Sequence, residues 1–127
     1  FVYGSLRRGF KNSMADLLAE GADYVDLARY QGKLYDLGNF PGVIASMNPE
    51  DQVVGDVYHL KGQSELLREL DKYEGYIPGQ PEKSYYLREI VPVTLQTTAT
   101  PLDVWIYLFN YPVDQLTRVV SGDYFNR

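Results

Sequence analysis

Of the 17 carboxylate residues in this 127-residue chain, one falls where a charge is disfavoured. Residues Ser64 to Glu74 read SELLRELDKYE. At about 100° per residue, Leu66, Leu67, Leu70 and Tyr73 share one arc of a helix. Glu65, Arg68, Glu69 and Lys72 take the other, as an amphipathic surface helix requires. Glu74 returns to the apolar arc, close in angle to Leu67 and Leu70. It also stands at the helix C-terminus, where the macrodipole opposes negative charge. Both effects favour the neutral acid and raise its pKa, which suits a group that exchanges protons near neutral pH. A helix-end glutamate that bends into solvent, or pairs with Arg88, would have the same sequence, so both readings stand here. Asp71, on the rim of the apolar stripe, reads as a cap or surface residue.

A second candidate lies at Tyr3-Gly4-Ser5-Leu6, where a short strand leaves through a glycine. Such a turn lets successive backbone N–H groups converge on an anion, either a substrate carboxylate or a developing oxyanion. The second glycine and the Lys-Ser/Thr ending of a phosphate loop are absent. Arg7-Arg8 is too short for a nucleic-acid patch and reads as a solvated face. With no Cys, disulfides, thiolate metal sites and thiol nucleophiles are excluded. The single His59 rules out a multi-histidine metal site, and its place among strand residues suggests a packed or half-exposed side chain. No cofactor and no metal are expected. The net charge of −5 opposes a nucleic-acid partner. The longest strongly apolar run, Val104 to Phe109, is far short of a membrane span. With no leader pattern in view, a cytoplasmic location is expected; because the chain starts at Phe1, a trimmed first strand is expected too.

These candidates need a scaffold, and the pattern predicts one built mostly of strands. Phe1 to Tyr3 reads as a short strand and Asn12 to Glu20 as a short helix stopped by Gly21. Ala22 to Leu37 reads as one long or bulged strand, with Gly32 as the site of a bend. Gly38-Asn39 and Pro41-Gly42 read as turns before Val43-Ile44-Ala45. Val53 to Leu60 follows as a strand, then the helix Ser64 to Glu74, with Ser64 as N-cap and Gly75 as its stop. Ser84 to Leu95 and Leu102 to Tyr111 complete the strands. The alternation of Val104, Ile106 and Leu108 with Trp105, Tyr107 and Phe109 puts one face on a core and the other along a cavity. The expectation is one domain over residues 1–127. Its class is α+β: a small mixed β-barrel flanked by one main helix and a short one.

The stretches Tyr3 to Gly9 (YGSLRRG) and Leu70 to Tyr76 (LDKYEGY) together resemble the γ-glutamylcyclotransferase-like family, which includes γ-glutamylamine cyclotransferase and AIG2-like proteins. Further pieces appear in the family's order: Gly32 to Asp36 before Pro41, Val54 to Tyr58, Tyr86-Leu87-Arg88 with Val91 and Val93, Trp105 to Tyr107, and Ser121 to Tyr124. Tyr124 stands where the pattern often has Trp, and would alter the edge of the pocket.

The resemblance implies a β-barrel enzyme that converts a γ-glutamyl compound to 5-oxoproline and releases its amine. Glu74 then matches the family's general acid/base, and Tyr3, Gly4, Ser5 and Leu6 its substrate-binding loop. Tyr86 and Arg88 share a strand face and would position Glu74 or the substrate carboxylate, with Tyr107 lining the pocket. The implied partner is a small γ-glutamyl molecule; oligomeric state stays open. A non-catalytic γ-glutamyl- or carboxylate-binding module, and a related acyl-transfer or deprotection enzyme, are the alternatives.

Overall fold

At 15 residues, strand β1 (Ala22–Asp36) is long enough to serve two sets of neighbours, and the sheet hangs on it. Residues 1–62 and 64–127 are described in the computed structural model; the side chain of Ser64, expected as an N-cap, lies outside them. The last part of β1, Gly32 to Asp36, pairs with β2 (Pro41–Ala45), and Ala22 to Gln31 pairs with β3 (Gln52–Leu60). On the opposite edge, Ala28 and Arg29 meet Leu95 and Thr94 of β4 (Tyr86–Leu95). Strand β4 runs alongside β5 (Pro101–Phe109) in a register from Tyr86↔Phe109 to Thr94↔Pro101. Tyr35 and Asp36 meet the two-residue β6 (Thr117–Arg118).

Every pairing is antiparallel, and none among the described residues closes β5 onto β2. The α+β class therefore stands, whereas the expected barrel is an open sheet. Phe109 of β5 instead leans on Gly42 of β2, where a Cβ would lie 3.0 Å from it.

Gly32 marks the change of partner along β1. A side chain there would stand 2.6 Å from the Ile44 carbonyl oxygen and 2.8 Å from the Tyr30 ring, so only hydrogen fits. The bulge expected in this strand lies between Tyr24 and Asp26, where the register slips past the exposed Val25. Pro41-Gly42 is not a turn. Leu37 N–H donates to the Phe40 carbonyl at 2.9 Å to close the hairpin, and Pro41 opens β2 at a position that tolerates its missing N–H. The first residues contribute a single bridge, Val2 with Asp56.

The two faces of the sheet carry different loads. On one, Tyr30, Leu34, Val43, Val53, Val93 and Ile106 form the larger core. On the other, the helices α1 (Ser13–Gly21) and α2 (Ser64–Glu74) lay Leu18, Leu66 and Leu70 against Leu6, Ala22, Tyr86 and Tyr107. Neighbouring residues of β5, Ile106 and Tyr107, thus enter different cores; of the face expected along a cavity, Tyr107 lines one, whereas Trp105 is exposed. Asn12 caps α1 by accepting from the Ala15 N–H at 2.8 Å, and its amide nitrogen donates to the Ser5 carbonyl at 2.8 Å.

The segment after Tyr3 is held from below. Arg7, expected in solvent, is 4% exposed; its Nε donates to Asp56 Oδ2 at 3.3 Å and its Nη1 to Asp123 Oδ1 at 2.7 Å. Asp56, 2% exposed, also accepts the Arg8 N–H at 2.8 Å and the Tyr24 hydroxyl at 3.1 Å. Three donors on one buried carboxylate satisfy it and fix the loop to β3. Arg8 is exposed, as expected of that pair, and its guanidinium covers the Tyr24 ring at 4.4 Å. Tyr124 is buried in the larger core and does not line the cavity described below, so its expected effect on a pocket edge is not supported.

Removing one partner of a buried pair strands the other charge, at a cost of about 3–5 kcal/mol. Asp56→Ala is expected to lower stability by that amount in denaturant titration. Asp23→Ala, which breaks the exposed 3.4 Å pair with Lys61, should change it by less than about 1 kcal/mol. Equal effects would show that the Arg7–Asp56 contact does not anchor the loop.

Candidate active site

Helix α2 ends in a way that fixes where Glu74 points. The Tyr76 N–H donates to the Asp71 carbonyl at 2.9 Å and the Gly75 N–H to the Lys72 carbonyl at 3.2 Å. Gly75 has φ +68°, the left-handed conformation that this pair of reversed hydrogen bonds demands. The chain leaves the helix at once, and Glu74 is its last residue, turned toward the sheet.

Glu74 lines a cavity of about 480 Å³ together with the loop Tyr3-Gly4-Ser5-Leu6. Tyr86 and Tyr107 line it as well. Arg88 does not: its Nε and Nη2 donate to the two Asp71 oxygens at 2.8 and 3.2 Å. Its guanidinium lies 4.4 Å from the Trp105 ring centroid. Seven of the eight residues singled out from the sequence therefore meet at one cavity, and the eighth stands behind it.

Asp71 is no surface residue. It is 5% exposed and accepts the Tyr107 hydroxyl at 2.6 Å in addition to Arg88. The wheel put it on the rim, but a carboxylate there is buried as readily as a leucine once a cation 17 residues away reaches it. No local pattern pairs those two residues.

Glu74 is the opposite case. No hydrogen bond or ion pair to it is found among the described residues, and the Arg88 pairing considered from the sequence is not made. Its carboxyl keeps contact with the cavity while protein surrounds the rest. Burial pushes its pKa from 4.5 up to about 7.

Three of the tyrosine hydroxyls around it are committed to protein acceptors. Tyr3 donates to the Tyr107 carbonyl at 2.6 Å, Tyr86 to the Pro41 carbonyl at 2.6 Å, and Tyr107 to Asp71. Burial raises all three pKa values, and the nearby Glu74 charge raises them further. These rings form walls and are poor acids at neutral pH.

The loop supplies the opposite polarity. Among the described residues, the N–H groups of Gly4, Ser5 and Leu6 donate to no protein acceptor, which leaves them for an anion or a carbonyl oxygen. Gly4 is required for packing, since a Cβ there would run into the Pro41 ring. Ser5 Oγ lies 3.1 Å from the Tyr73 hydroxyl, tying loop to helix across the cavity. Exposed His59 sits on β3 outside the cavity, so it provides no base for Ser5. Among the described residues, no group of three or more His, Cys, Asp or Glu is placed to hold a metal ion.

Comparison with known proteins bears on this arrangement. The profile of the family described as "Gamma-glutamyl cyclotransferase, AIG2-like" matches residues 1–126. The chain belongs to this family. The "Gamma-glutamylcyclotransferase family protein YtfP" of Escherichia coli K12 is 31% identical, over 100% of this chain and 96% of that one. Among solved structures, YkqA from Bacillus subtilis superposes with a TM-score of 0.70 at 29% identity. That match covers 98% of this chain and 38% of YkqA, so the chain spans about two-fifths of that relative's length. An AIG2-like protein from Mus musculus shares the fold, with a TM-score of 0.65 at 21% identity over 88% of this chain and 77% of its own.

Within this AIG2-like fold, Glu74 carries a stability cost with a defined pH dependence. Between about pH 4.5 and pH 7 the folded protein keeps a proton that the unfolded chain has lost, so stability falls as pH rises through that window. Above pH 7 the buried charge costs about 1–3 kcal/mol. Glu74→Gln should therefore melt several degrees above the parent at pH 8 and level with it near pH 4.5. A gap that stays constant across this range would mean that Glu74 is not desolvated.

Proposed function

We propose that the protein is a γ-glutamyl (amine) cyclotransferase, which closes a γ-glutamyl amide into 5-oxoproline and releases the amine. The observation that carries this reading is Glu74: a carboxyl without a partner among the described residues, its pKa raised to about 7, facing a cavity beside loop amides that are likewise unpaired among those residues.

The nucleophile belongs to the substrate. Its α-amine lies a five-membered ring away from the γ-carbonyl, so binding the folded conformer supplies much of the rate without an enzyme nucleophile. What the protein must do is move protons and hold charge. Glu74 accepts a proton from the α-ammonium, the freed amine attacks the γ-carbonyl, and the tetrahedral oxyanion faces the Gly4–Leu6 amides. As the C–N bond to the leaving amine breaks, Glu74 returns the proton to that nitrogen. It then takes the second proton from the ring nitrogen and passes it to the released amine, which departs as an ammonium. Atoms and charge balance without water, and Glu74 ends as the carboxylate.

Burial makes one carboxyl suitable for both transfers. An ordinary carboxylate takes a proton from an amine of pKa about 8 against a gap of about 3.5 units. At a pKa of about 7 the gap shrinks to about one unit. The same acid is then strong enough to protonate the departing amine. Tyr3, Tyr86 and Tyr107 act as rigid walls that keep the carboxyl dry. Arg88 acts through Asp71 as a positioning residue for Tyr107 and the end of α2, and makes no contact with substrate in this reading.

The test is chromatographic detection of 5-oxoproline from γ-glutamyl amides. Glu74→Gln should lower kcat by at least about 10²-fold. In the parent, kcat/KM should climb with pH through an ionisation near 7 as the carboxylate forms. Undiminished turnover in Glu74→Gln would falsify the assignment.

A further inference from the structure

The cavity is asymmetric, and its asymmetry bears on the amine that leaves. At the closed end stand the buried side chains of Tyr3, Leu6, Tyr86 and Tyr107 with the loop amides. At the open end stand three aromatic rings that line the cavity yet remain exposed: Phe40 at 47%, Tyr73 at 47% and Tyr85 at 63%. Large apolar side chains left in water around one opening are uncommon on a soluble surface, and they mark places where an apolar partner docks. They come from three separate elements: the β1–β2 hairpin, the end of α2, and the segment before β4.

Their position relative to Glu74 makes this specific. Tyr85 packs directly on Gly75, the residue after Glu74; its N–H donates to the Gly75 carbonyl at 3.0 Å, and a Cβ on Gly75 would lie 2.8 Å from its ring. Tyr73 precedes Glu74, and its hydroxyl is held by Ser5. A leaving nitrogen that takes a proton from Glu74 must come within about 2.6–3.2 Å of it. The substituent on that nitrogen then has to pass outward between these rings.

The electrostatics of the opening point the same way. Lys72 is the one cationic side chain that lines the cavity among the described residues. It is turned to solvent and lies 3.6 Å from Glu69, with its side chain 77% exposed. A carboxylate on the leaving group would sit against aromatic rings with no committed partner, which is unfavourable.

We propose that the leaving group is an apolar, ring-sized amine without a carboxylate, held by Phe40, Tyr73 and Tyr85. This inference rests on the cyclotransferase reading above and adds the substrate class at the same site. Burying a ring is worth about one to two powers of ten in kcat/KM.

The experiment compares three compounds: γ-glutamyl-benzylamide, γ-glutamyl-methylamide, which lacks the ring, and γ-glutamyl-phenylalanine, which keeps the ring and adds a carboxylate. Benzylamide should exceed each of the others by at least about 10-fold in kcat/KM. In Tyr85→Ala and in Phe40→Ala the benzylamide-to-methylamide ratio should fall toward one, and a ratio within one variant is independent of how much of it folds. Calorimetric affinities on Glu74→Gln give a readout that needs no turnover. Turnover with phenylalanine or methylamide equal to benzylamide overturns the inference and leaves the cyclotransferase reading standing. No 5-oxoproline from any compound overturns that reading, and the Glu74→Gln affinities then decide the mouth: ring preference upholds it, and equal affinities overturn it.

Discussion

Two carboxylates three residues apart on one helix have opposite fates, and that contrast rests on where Arg88 goes. Asp71 receives both arms of the guanidinium and the Tyr107 hydroxyl, so its charge is compensated although it is buried. Glu74 receives none of these. Had Arg88 turned to Glu74, that carboxyl would have become an ordinary ion pair with a low pKa, and Asp71 would have been the buried charge without a partner. The fork geometry of arginine suits one carboxylate bidentately, and stacking on Trp105 holds the guanidinium where it serves Asp71. The raised pKa of Glu74 therefore depends on an ion pair in which it takes no part.

The same logic of satisfied and unsatisfied groups runs through the loop facing it. Arg7 and Asp56 are buried beneath the segment and paired with each other, whereas the amides of Gly4 to Leu6 above them have no protein acceptor among the described residues. A loop with unpaired donors is prone to move unless something else fixes it. Here the buried pair, the Asn12 side chain on the Ser5 carbonyl, and the Ser5–Tyr73 contact hold it from three directions. Preorganised donors are useful because they need not be reoriented when charge develops.

How much of this was legible in the sequence follows from the range of each interaction. Glu74 was visible because its signal is local: a charge at an apolar position of a regular helix, next to a glycine that stops it. The long strand, both helices and the two-faced β5 were visible for the same reason, since periodicity is read within one element. Asp71 was misplaced because its burial depends on Arg88, a residue on another element, and Arg7 was read as solvated because Asp56 and Asp123 are 49 and 116 positions away. Pro41-Gly42 reads as a turn by composition, yet pairing with β1 overrode it. The open sheet was equally hidden, because closure depends on whether β5 reaches β2, and no local pattern encodes that distance. The aromatic mouth escaped notice because Phe40, Tyr73 and Tyr85 converge only through the fold.

The chemistry left to the site is narrow because so few of its polar groups remain uncommitted. Three tyrosine hydroxyls are engaged with backbone or Asp71, Ser5 is engaged with Tyr73 and lacks a histidine, and Lys72 lies beside Glu69. What stays available is one carboxyl near its midpoint at neutral pH and a short run of amide donors. A group poised in this way can take a proton from a nucleophile and give it to a leaving group in one turnover. A reaction whose nucleophile and leaving group both reside in the substrate, and exchange their proton in sequence, needs no more than that. An intramolecular cyclisation is such a reaction, and hydrolysis through Ser5 is not.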